Sequence, residues 1–523
     1  MASGWKVLDG ANQDKDLLLN ADVAIVGSGA GGGIAAEVLS RAGLDVLLLE
    51  EGGLYSSSDF RLLEAKAYPE LYQESASRQT LDKGITILQG RAVGGGTTVN
   101  WTSSFRTPPD TLLWWQENHG LATLSVETMR PWFDKVEQRL GIGPWQAEPN
   151  GNNLVLERGC QALGLRHARI ARNVKGCWNL GYCGMGCPTN AKQSMLVTCI
   201  PEALSHGARL LSRARVDRLL ADQGGKRIAS IQGSLLGADG KTPTGRRFSV
   251  RARQVVLAAG AIGTPAIMLR SSLPDAAGQT GKRTFLHPVA LSAALMPEMV
   301  EPYNGAPQTV YSDHYMHTQP LDGPLGFKLE VPPIHPLLAS VTFPGFGLEQ
   351  LQLLQQLPHL HATLALLRDG FHPDSQGGEV RLRDDASPAL DYPLNDVIWD
   401  GVKRSWLAMA ELQFAAGARL AMPLHEGAQP MPNWRQAREM IEGLPLQALQ
   451  ARLVSAHVMG GMAMGDDPVR SVLDDWGNHW NWRNLAVLDG SIFPTSVGAN
   501  PQLSIYAFAW RAADRLAREL AKG

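Results

Sequence analysis

The glycine-rich turn near the N-terminus constrains the fold of this chain more than any other feature. It follows the apolar stretch ADVAIV at 21–26 and precedes a run that is typical of an amphipathic helix. The turn has the spacing G-x-G-x-x-G, whose glycines are Gly27, Gly29 and Gly32, and Ala30 lies between the last two. Glycines at this spacing allow a tight turn and bring the backbone close to a pyrophosphate at the helix N-terminus. The pattern therefore predicts a Rossmann-like β-α-β unit that binds a dinucleotide.

A carboxylate completes this unit at the end of the second strand. The apolar stretch DVLLLE ends at Glu50, 23 residues after Gly27. An acid at this position accepts hydrogen bonds from ribose hydroxyls and disfavours a 2′-phosphate. The order strand, turn, helix, strand, acid favours a cofactor site over a merely structural turn. It does not distinguish FAD from NAD.

Length and charge limit the remaining possibilities. The 523 residues exceed one simple core, so two or three domain-sized units are expected. The 48 basic and 50 acidic residues nearly cancel, and we expect no nucleic-acid partner. No secretory signal and no apolar run of about 18 residues is recognisable. The expected compartment is the cytoplasm or the inner-membrane surface, or alternatively the periplasm after export with a signal-bearing partner.

Four blocks of the sequence resemble the glucose–methanol–choline (GMC) oxidoreductase family. They occur in the family's order and span nearly the whole chain. The blocks are VAIVGSGAGGGIAAEVLSRAGLDVLLLEEGG (23–53), GRAVGGGTTVNW (90–101), VVLAAGAIGTPAIMLRSS (255–272), and HVMGGMAMG through NLAVLDGSIFPTSVGANPQLSIYAFAWRAAD (457–514). The chain is identified as a member of this family, which implies FAD as the cofactor.

The resemblance also implies an α/β fold built from interleaved segments. A Rossmann-like FAD-binding domain would accompany an α+β substrate or cap domain with a mostly antiparallel sheet. The expected FAD-binding segments are 18–105, 190–289 and 455–523. The expected substrate or cap segments are 106–189 and 290–454, and they include the cysteine-rich segment 176–188.

Individual flavin-binding residues follow from the family's motifs. The flavin-loop motif is matched by Gly90, Arg91, Gly94, Gly95, Thr97 and Asn100. Glu50 matches the ribose-binding acid, and Val216 matches the position whose backbone meets the adenine. Asp489 and Gly490 match the motif that approaches the pyrophosphate. Some members tether the flavin through a histidine where this chain has Val99, so we predict noncovalent FAD.

The resemblance implies a catalytic pair at His457 and Asn500, which lie 43 residues apart. Oxidising an alcohol removes a hydride from carbon and a proton from oxygen. A neutral imidazole can take the proton, while an amide holds the oxygen and the hydride goes to flavin N5. A lone histidine is more often structural, but this spacing within two matching blocks favours His457 as the base. His287 matches a turn that many family members carry, and a structural role is favoured over a substrate role. His335, His359 and His361 are expected at the surface or in the core.

Three cysteines lie close together in GCWNLGYCGMGCPTNAK. Cys177, Cys183 and Cys187 have the spacing C-x5-C-x3-C, and they resemble the segment that carries a [3Fe-4S] cluster in bacterial FAD-dependent glucose dehydrogenases. Buried free thiols and a zinc site are the alternatives, and long-chain alcohol oxidases also have cysteines here. Cys160 and Cys199 are expected in the core.

The sequence thus predicts an FAD-dependent alcohol oxidoreductase, more a dehydrogenase than an oxidase. An apolar or long-chain alcohol is slightly preferred because residues 331–367 are apolar and rich in proline. Core packing, or contact with a membrane or partner, are the other interpretations of that segment. The expected acceptor is a quinone, a cytochrome or oxygen, and a small partner subunit is possible. The alternatives are a sugar or polyol dehydrogenase that passes electrons through an iron–sulfur cluster, and a non-catalytic flavin electron-transfer subunit.

Overall fold

The computed structural model describes residues 4–522. Its strands form two large sheets and two small ones. The strands are β1 (Lys6–Asp9), β2 (Leu17–Val26), β3 (Val46–Leu49), β4 (Ile85–Ile87), β5 (Ile142–Pro144), β6 (Ala168–Arg169), β7 (Ala171–Asn173), β8 (Arg209–Ser212), β9 (Ala214–Ala221), β10 (Ile228–Leu236), β11 (Pro243–Leu257), β12 (Lys282–Phe285), β13 (Val289–Leu295), β14 (Val310–Ser312), β15 (Phe327–Glu330), β16 (Leu360–Leu367), β17 (Gly378–Leu382), β18 (Pro388–Asp391), β19 (Leu420–Pro423), β20 (Leu453–Ser455), β21 (Met459–Gly460) and β22 (Leu485–Val487).

The helices surround these sheets. They are α1 (Ala30–Arg41), α2 (Glu64–Leu71), α3 (Gly96–Val99), α4 (Pro109–His119), α5 (Val126–Leu140), α6 (Gly151–Leu163), α7 (Cys199–Ser205), α8 (Gly260–Ser271), α9 (Pro336–Thr342), α10 (Gly347–Gln355), α11 (Asp396–Ala415), α12 (Trp434–Gly443) and α13 (Gln502–Leu520). None of the helices within 4–522 is long and apolar enough to cross a membrane.

The first large sheet carries the predicted β-α-β unit. Its order is β1-β8-β3-β2-β11-β10-β9, with β22 paired to β11. β2 runs parallel to both β3 and β11, and helices α1 and α13 pack together beside it. Residues Val23–Val26 and Val46–Leu49 are buried throughout, as expected where a parallel sheet is covered on both faces. The Rossmann-like α/β prediction is confirmed.

The second large sheet is mostly antiparallel. Its order is β4-β20-β13-β16-β15-β14-β6, and β19 pairs with β13. All eight residues of β16 are buried, and helix α11 packs on β13 and β16. A four-stranded sheet, β18-β17-β12-β21, and a two-stranded sheet, β5-β7, complete the fold. The predicted mostly antiparallel sheet is therefore present.

Two features refine the sequence expectations. Strand β4 lies in the predicted FAD-binding segment 18–105 but pairs with β20 in the antiparallel sheet, so that segment contributes to both large sheets. After the cysteine-rich segment, helix α7 begins only at Cys199 and ends at Ser205. The preceding residues bind the glycine loop instead, since Met195 N donates to Thr97 Oγ1 at 3.0 Å. The exact domain bounds stay a prediction.

Candidate active site

A cavity of about 1270 Å³ is lined by residues from both large sheets. It is larger than most small-molecule pockets, which span roughly 300–1,000 Å³, and it suits an extended cofactor together with a substrate. Most of the predicted site residues line this cavity. They are Gly27, Gly29, Ala30, Glu50, Gly90, Gly95, Thr97, Asn100, Val216, His457, Asp489, Gly490 and Asn500. The predicted residues Gly32, Arg91 and Gly94, and the three clustered cysteines, are not among the lining residues.

Each glycine of the turn is required for a different steric reason. Gly27 has a φ of +100°, and a Cβ there would collide with the carbonyl of Ala258. Gly32 packs against the carbonyl of Gly27, so its role is to bring helix α1 close to the turn. Gly29 has only Gly95 within 4 Å of a Cβ position, which leaves its cavity side open to a ligand.

Glu50 is tied to the turn by backbone and hydroxyl donors. Its carboxylate accepts hydrogen bonds from Ser28 N at 3.0 Å and from Gly52 N at 2.8 Å, and also from the Ser28 hydroxyl. Burial raises the pKa of Glu50, while these donors oppose the rise. Ser28 Oγ also accepts from Gly94 N at 2.9 Å. Ser28, which the motif does not specify, thus joins the turn, the acid and the second glycine loop.

The second glycine loop packs directly on the turn. A Cβ on Gly95 would lie 2.6 Å from Gly29 Cα, so the two backbones touch. Asn100 faces the cavity and donates from Nδ2 to Gln502 Oε1 at 2.7 Å. Arg91 forms an ion pair with Glu51 at 3.4 Å and does not line the cavity, which indicates that it braces the loop.

Asp489 lies beside the glycine turn, since a Cβ on Gly31 would come within 3.3 Å of Asp489 Cα. Its Oδ2 accepts from Gly260 N at 2.9 Å and from the Thr264 hydroxyl at 2.6 Å, and its Oδ1 accepts from Ser491 N at 2.8 Å. Gly260 begins α8 at a φ of +81°, with open space where a Cβ would lie. Open glycine backbone at Gly29 and Gly260, together with the Glu50 carboxylate, fits a dinucleotide cofactor such as FAD.

His457 lines the same cavity and is only partly buried. Burial, and then the positive charge of Lys328, lower the pKa of His457 to about 3. The imidazole is therefore neutral at physiological pH. A neutral ring is the form that can accept a proton from a substrate hydroxyl.

A second histidine contacts His457. His287 Nδ1 lies 3.3 Å from His457 Nδ1, and Gly498 N donates to His287 Nε2 at 3.1 Å. Because an amide only donates, His287 carries its ring hydrogen on Nδ1 and points it at His457 Nδ1. Neutral His457 then holds its own hydrogen on Nε2. Taking up a proton at Nε2 requires this contact to rearrange, as the long contacts of unliganded sites often do.

Asn500 is buried between two charged side chains of β15. Lys328 Nζ donates to Asn500 Oδ1, and Asn500 Nδ2 donates to Glu330 Oε2 at 3.1 Å. Lys328 and Glu330 form an ion pair at 2.8 Å, and both are almost completely buried. The sequence reasoning missed this pair. Its only local signal is two opposite charges, two residues apart, in an apolar strand.

Comparison with known proteins decides the family. Two family models described as GMC oxidoreductase match residues 68–289 and 373–509. An uncharacterised GMC-type oxidoreductase of Mycobacterium tuberculosis is 32% identical over 96% of this chain and 76% of its own length. The chain belongs to the GMC oxidoreductase family. It is accordingly an FAD-dependent oxidoreductase.

Other relatives and solved structures agree with this GMC fold. A long-chain-alcohol oxidase of Arabidopsis thaliana is 30% identical over 95% of this chain and 68% of its own length. Formate oxidase of Aspergillus oryzae superposes with a TM-score of 0.71 at 14% identity, covering 97% of this chain and 99% of the other. Pyridoxine 4-oxidase of Mesorbium loti gives a TM-score of 0.68 at 18% identity, with 95% and 99% covered. At these identities the two structures show the fold alone.

The cysteine segment of this GMC oxidoreductase braces the glycine loop. Buried Lys192 follows the cysteines and donates from Nζ to the carbonyls of Thr98 at 2.7 Å, Asn100 at 2.9 Å and Cys183 at 2.7 Å. Burial lowers the pKa of Lys192 to about 8. Three main-chain carbonyls therefore join the cysteine segment to the loop beside the cavity.

The thiols themselves do not converge on a metal site. Cys183 Sγ accepts from Arg172 at 3.6 Å, and Cys177 Sγ accepts from Asn179 N at 3.4 Å. Across residues 4–522, no group of three or more His, Cys, Asp or Glu side chains is arranged to hold a metal ion. The geometry thus does not support the predicted iron–sulfur cluster at Cys177, Cys183 and Cys187, nor the zinc alternative. Cys160 and Cys199 are buried, as predicted.

The remaining histidines have structural surroundings. His361 is buried and bonded to Asn152 Oδ1 and Thr363 Oγ1, each at 2.7 Å. His335 stacks on Tyr182 with ring centroids 4.6 Å apart. His359 bonds the carbonyl of Glu298 at 2.9 Å. Their prediction as surface or core residues agrees with these contacts.

The apolar segment 331–367 divides into two parts. Its end forms β16, where Leu364 and Leu366 line the cavity. Helix α10 and the residue before it instead expose apolar side chains, namely Leu348 at 69% of its surface and Phe346 at 87%. The part of this segment that lines the cavity is therefore β16.

Proposed function

We propose that this protein oxidises an alcohol to an aldehyde or ketone with FAD, and that His457 acts as the base. One observation carries the proposal: the glycine turn, Glu50, His457 and Asn500 all line a single cavity, and the part of it beside His457 and Asn500 is called its catalytic end. A hydride acceptor and a proton acceptor can then lie on the two sides of one carbinol group.

The residues of the chain divide the reaction between them. An Asn500 Nδ2 hydrogen holds the substrate oxygen, and His457 takes the hydroxyl proton as the C–O bond gains double-bond character. FAD, when bound, supplies the acceptor for the hydride that leaves carbon. The carbinol thus loses one proton and one hydride, and the flavin gains two electrons. For His457 to accept the proton, its contact with His287 opens when the substrate binds.

The walls of the cavity near His457 favour an apolar alcohol. Aliphatic side chains line this end, namely Val289, Leu364, Leu366, Val454 and Val458. The amide of Gln308 also lies here, but its Oε1 already accepts from the Ser103 hydroxyl at 2.6 Å. A sugar would bring several hydroxyls to a wall with few free partners, which disfavours it. The similarity to a long-chain-alcohol oxidase supports the same substrate class.

Anaerobic stopped-flow reduction tests the proposal. Aliphatic alcohols should bleach the flavin of the purified holoenzyme faster than sugars do. Reoxidation with oxygen, a quinone or a cytochrome then separates oxidase from dehydrogenase; we propose the dehydrogenase. A flavin that no alcohol reduces would favour the non-catalytic electron-transfer alternative.

Replacement of His457 tests the base. His457→Ala should keep the FAD spectrum but slow flavin reduction by at least about a hundredfold. His457→Gln is the informative partner, because glutamine donates a hydrogen bond but does not accept a proton at neutral pH. It should be nearly as slow. A His457→Gln enzyme that retained most of the rate would make His457 a hydrogen-bond donor instead of the base.

A further inference from the structure

Strand β15 presents two opposite charges towards the catalytic end of the cavity. Lys328 lies opposite Leu366 and Glu330 lies opposite Leu364 in the antiparallel pairing with β16. Cross-strand partners point to the same face of a sheet, and both leucines line the cavity. The charged pair therefore lies on the cavity side of the sheet, next to the substrate wall.

The two charges determine which way the Asn500 amide points. An ammonium group only donates hydrogen bonds and a carboxylate only accepts them. The contact with Lys328 therefore requires Asn500 Oδ1 on its side, and the contact with Glu330 requires Nδ2 on the other. One Nδ2 hydrogen is used by Glu330, which leaves the second for a ligand in the cavity.

Resting on the proposed function, we propose that Lys328 and Glu330 are a positioning pair that holds the Asn500 amide with its free N–H towards the substrate oxygen. Donation from Lys328 to Oδ1 also polarises the amide, so that Nδ2 becomes a better donor to a developing alkoxide. Neither side chain lines the cavity, so the effect of each on the substrate oxygen passes through Asn500.

Stability alone is a weak reason for such a pair. Replacing a buried ion pair by apolar side chains of similar volume is often neutral or stabilising, because desolvation of the two charges offsets their attraction. Lys328 is desolvated further by the ring of Phe105, whose centroid lies 3.6 Å from Nζ. The orientation of Asn500 gives the pair a role that apolar residues would not fill.

The same positive charge acts on His457. Burial and then Lys328 lower the pKa of His457. The other charged or titratable groups around this end are Glu330, His287, Arg368 and Asp369, and burial of His287 lowers its own pKa as well. Because flavin reduction needs neutral His457, its rate falls as the pH decreases through the pKa of His457. Removal of the Lys328 charge raises that pKa, so the acidic loss should move to higher pH.

Two double variants separate the positioning effect from the charge effect. Lys328→Met/Glu330→Gln removes both charges and the donor to Asn500 Oδ1. Lys328→Gln/Glu330→Gln removes both charges but keeps an N–H donor. Thr363→Val is the matched control, since it removes a buried hydrogen bond to His361 from neighbouring β16 without touching Asn500.

The methionine variant should reduce its flavin at least about tenfold more slowly, since small misplacements of a positioning group are costly. The glutamine variant should recover most of the rate. In both double variants, the acidic limb of the pH profile of flavin reduction should shift to higher pH. The titration of flavin absorbance without substrate should shift in the same direction. Thr363→Val should change none of these.

Equal rates in the methionine and glutamine variants, or an equal loss in Thr363→Val, would overturn the proposal. The titration of flavin absorbance needs no substrate, so it tests the influence of Lys328 even if no alcohol reduces the enzyme. An unshifted titration in both double variants would also contradict it. Failure of the wild-type enzyme to oxidise any alcohol, in contrast, contradicts the proposed function.

Discussion

The two polar residues at the catalytic end of the cavity are held in different ways. Asn500 lies between the buried ammonium group of Lys328 and the buried carboxylate of Glu330. Each of these contacts is compatible with only one orientation of the amide. His457 has one side-chain contact, a 3.3 Å approach to the ring of His287. Asn500, proposed to bind the substrate oxygen, is thus fixed, whereas His457, proposed to change its protonation state, is held loosely.

This difference follows from what each group does. An amide that stabilises a developing alkoxide works best when it is already oriented and does not reorganise during the reaction. An imidazole that gains a proton changes one nitrogen from acceptor to donor. A strong hydrogen bond to that nitrogen would oppose the change. The geometry therefore predicts opposite responses when the supporting residues are altered.

The largest effect is expected at Asn500. Asn500→Leu removes the donor to the substrate oxygen and leaves Lys328 and Glu330 without their amide partner. Loss of one preorganised donor to a developing oxyanion slows reactions by roughly 100- to 1,000-fold, and a similar loss of flavin reduction is expected. Stopped-flow reduction measures it, with FAD content as the check on folding. If Asn500→Leu reduced its flavin at a rate within threefold of wild type, the distinction between Asn500 and His457 would be wrong.

A smaller effect is expected at His287, where a substitution should make flavin reduction faster instead of slower. His287→Met removes the N–H that points at His457 Nδ1, while the thioether still fills the space beside Gly498. His457 can then hold its hydrogen on Nδ1 and present a free Nε2 to the substrate. Because one such hydrogen bond is worth about 1 kcal/mol, reduction should become about fivefold faster.

The same variant should be less stable, since the buried Gly498 N–H loses its imidazole acceptor. Thermal unfolding of the holoenzyme measures this loss. A slower His287→Met enzyme would mean that His287 supports His457 as firmly as Lys328 and Glu330 support Asn500, and the comparison above would be wrong.

The same two residues show how far the sequence predicts the site. His457, Asn500 and the glycine turn belong to contiguous motifs, and the parallel and antiparallel sheets follow from short apolar patterns. Lys328 and Glu330 lie more than 150 residues from Asn500 along the chain, in a strand with no motif. Only the pairing of β15 with β16 brings them to the cavity. The cysteines show the opposite case, because their spacing suggests a cluster, whereas residues 4–522 contain no group of side chains arranged to hold a metal ion.

The smallest effect is expected at Phe105, behind the pair that holds Asn500. Its ring lies under the Lys328 ammonium at 3.6 Å and packs edge-on against Tyr311 at 4.9 Å. Phe105→Leu removes a cation–π contact worth about 1–2 kcal/mol and should lower the Tm of the holoenzyme. The rate should change less than about twofold, because the ion pair still fixes the amide. Phe105→Tyr keeps the ring and should restore the Tm. The contrary outcome is that Phe105→Leu slows flavin reduction as much as Lys328→Met/Glu330→Gln does. The ring of Phe105 would then help to orient Asn500, together with its two charged partners.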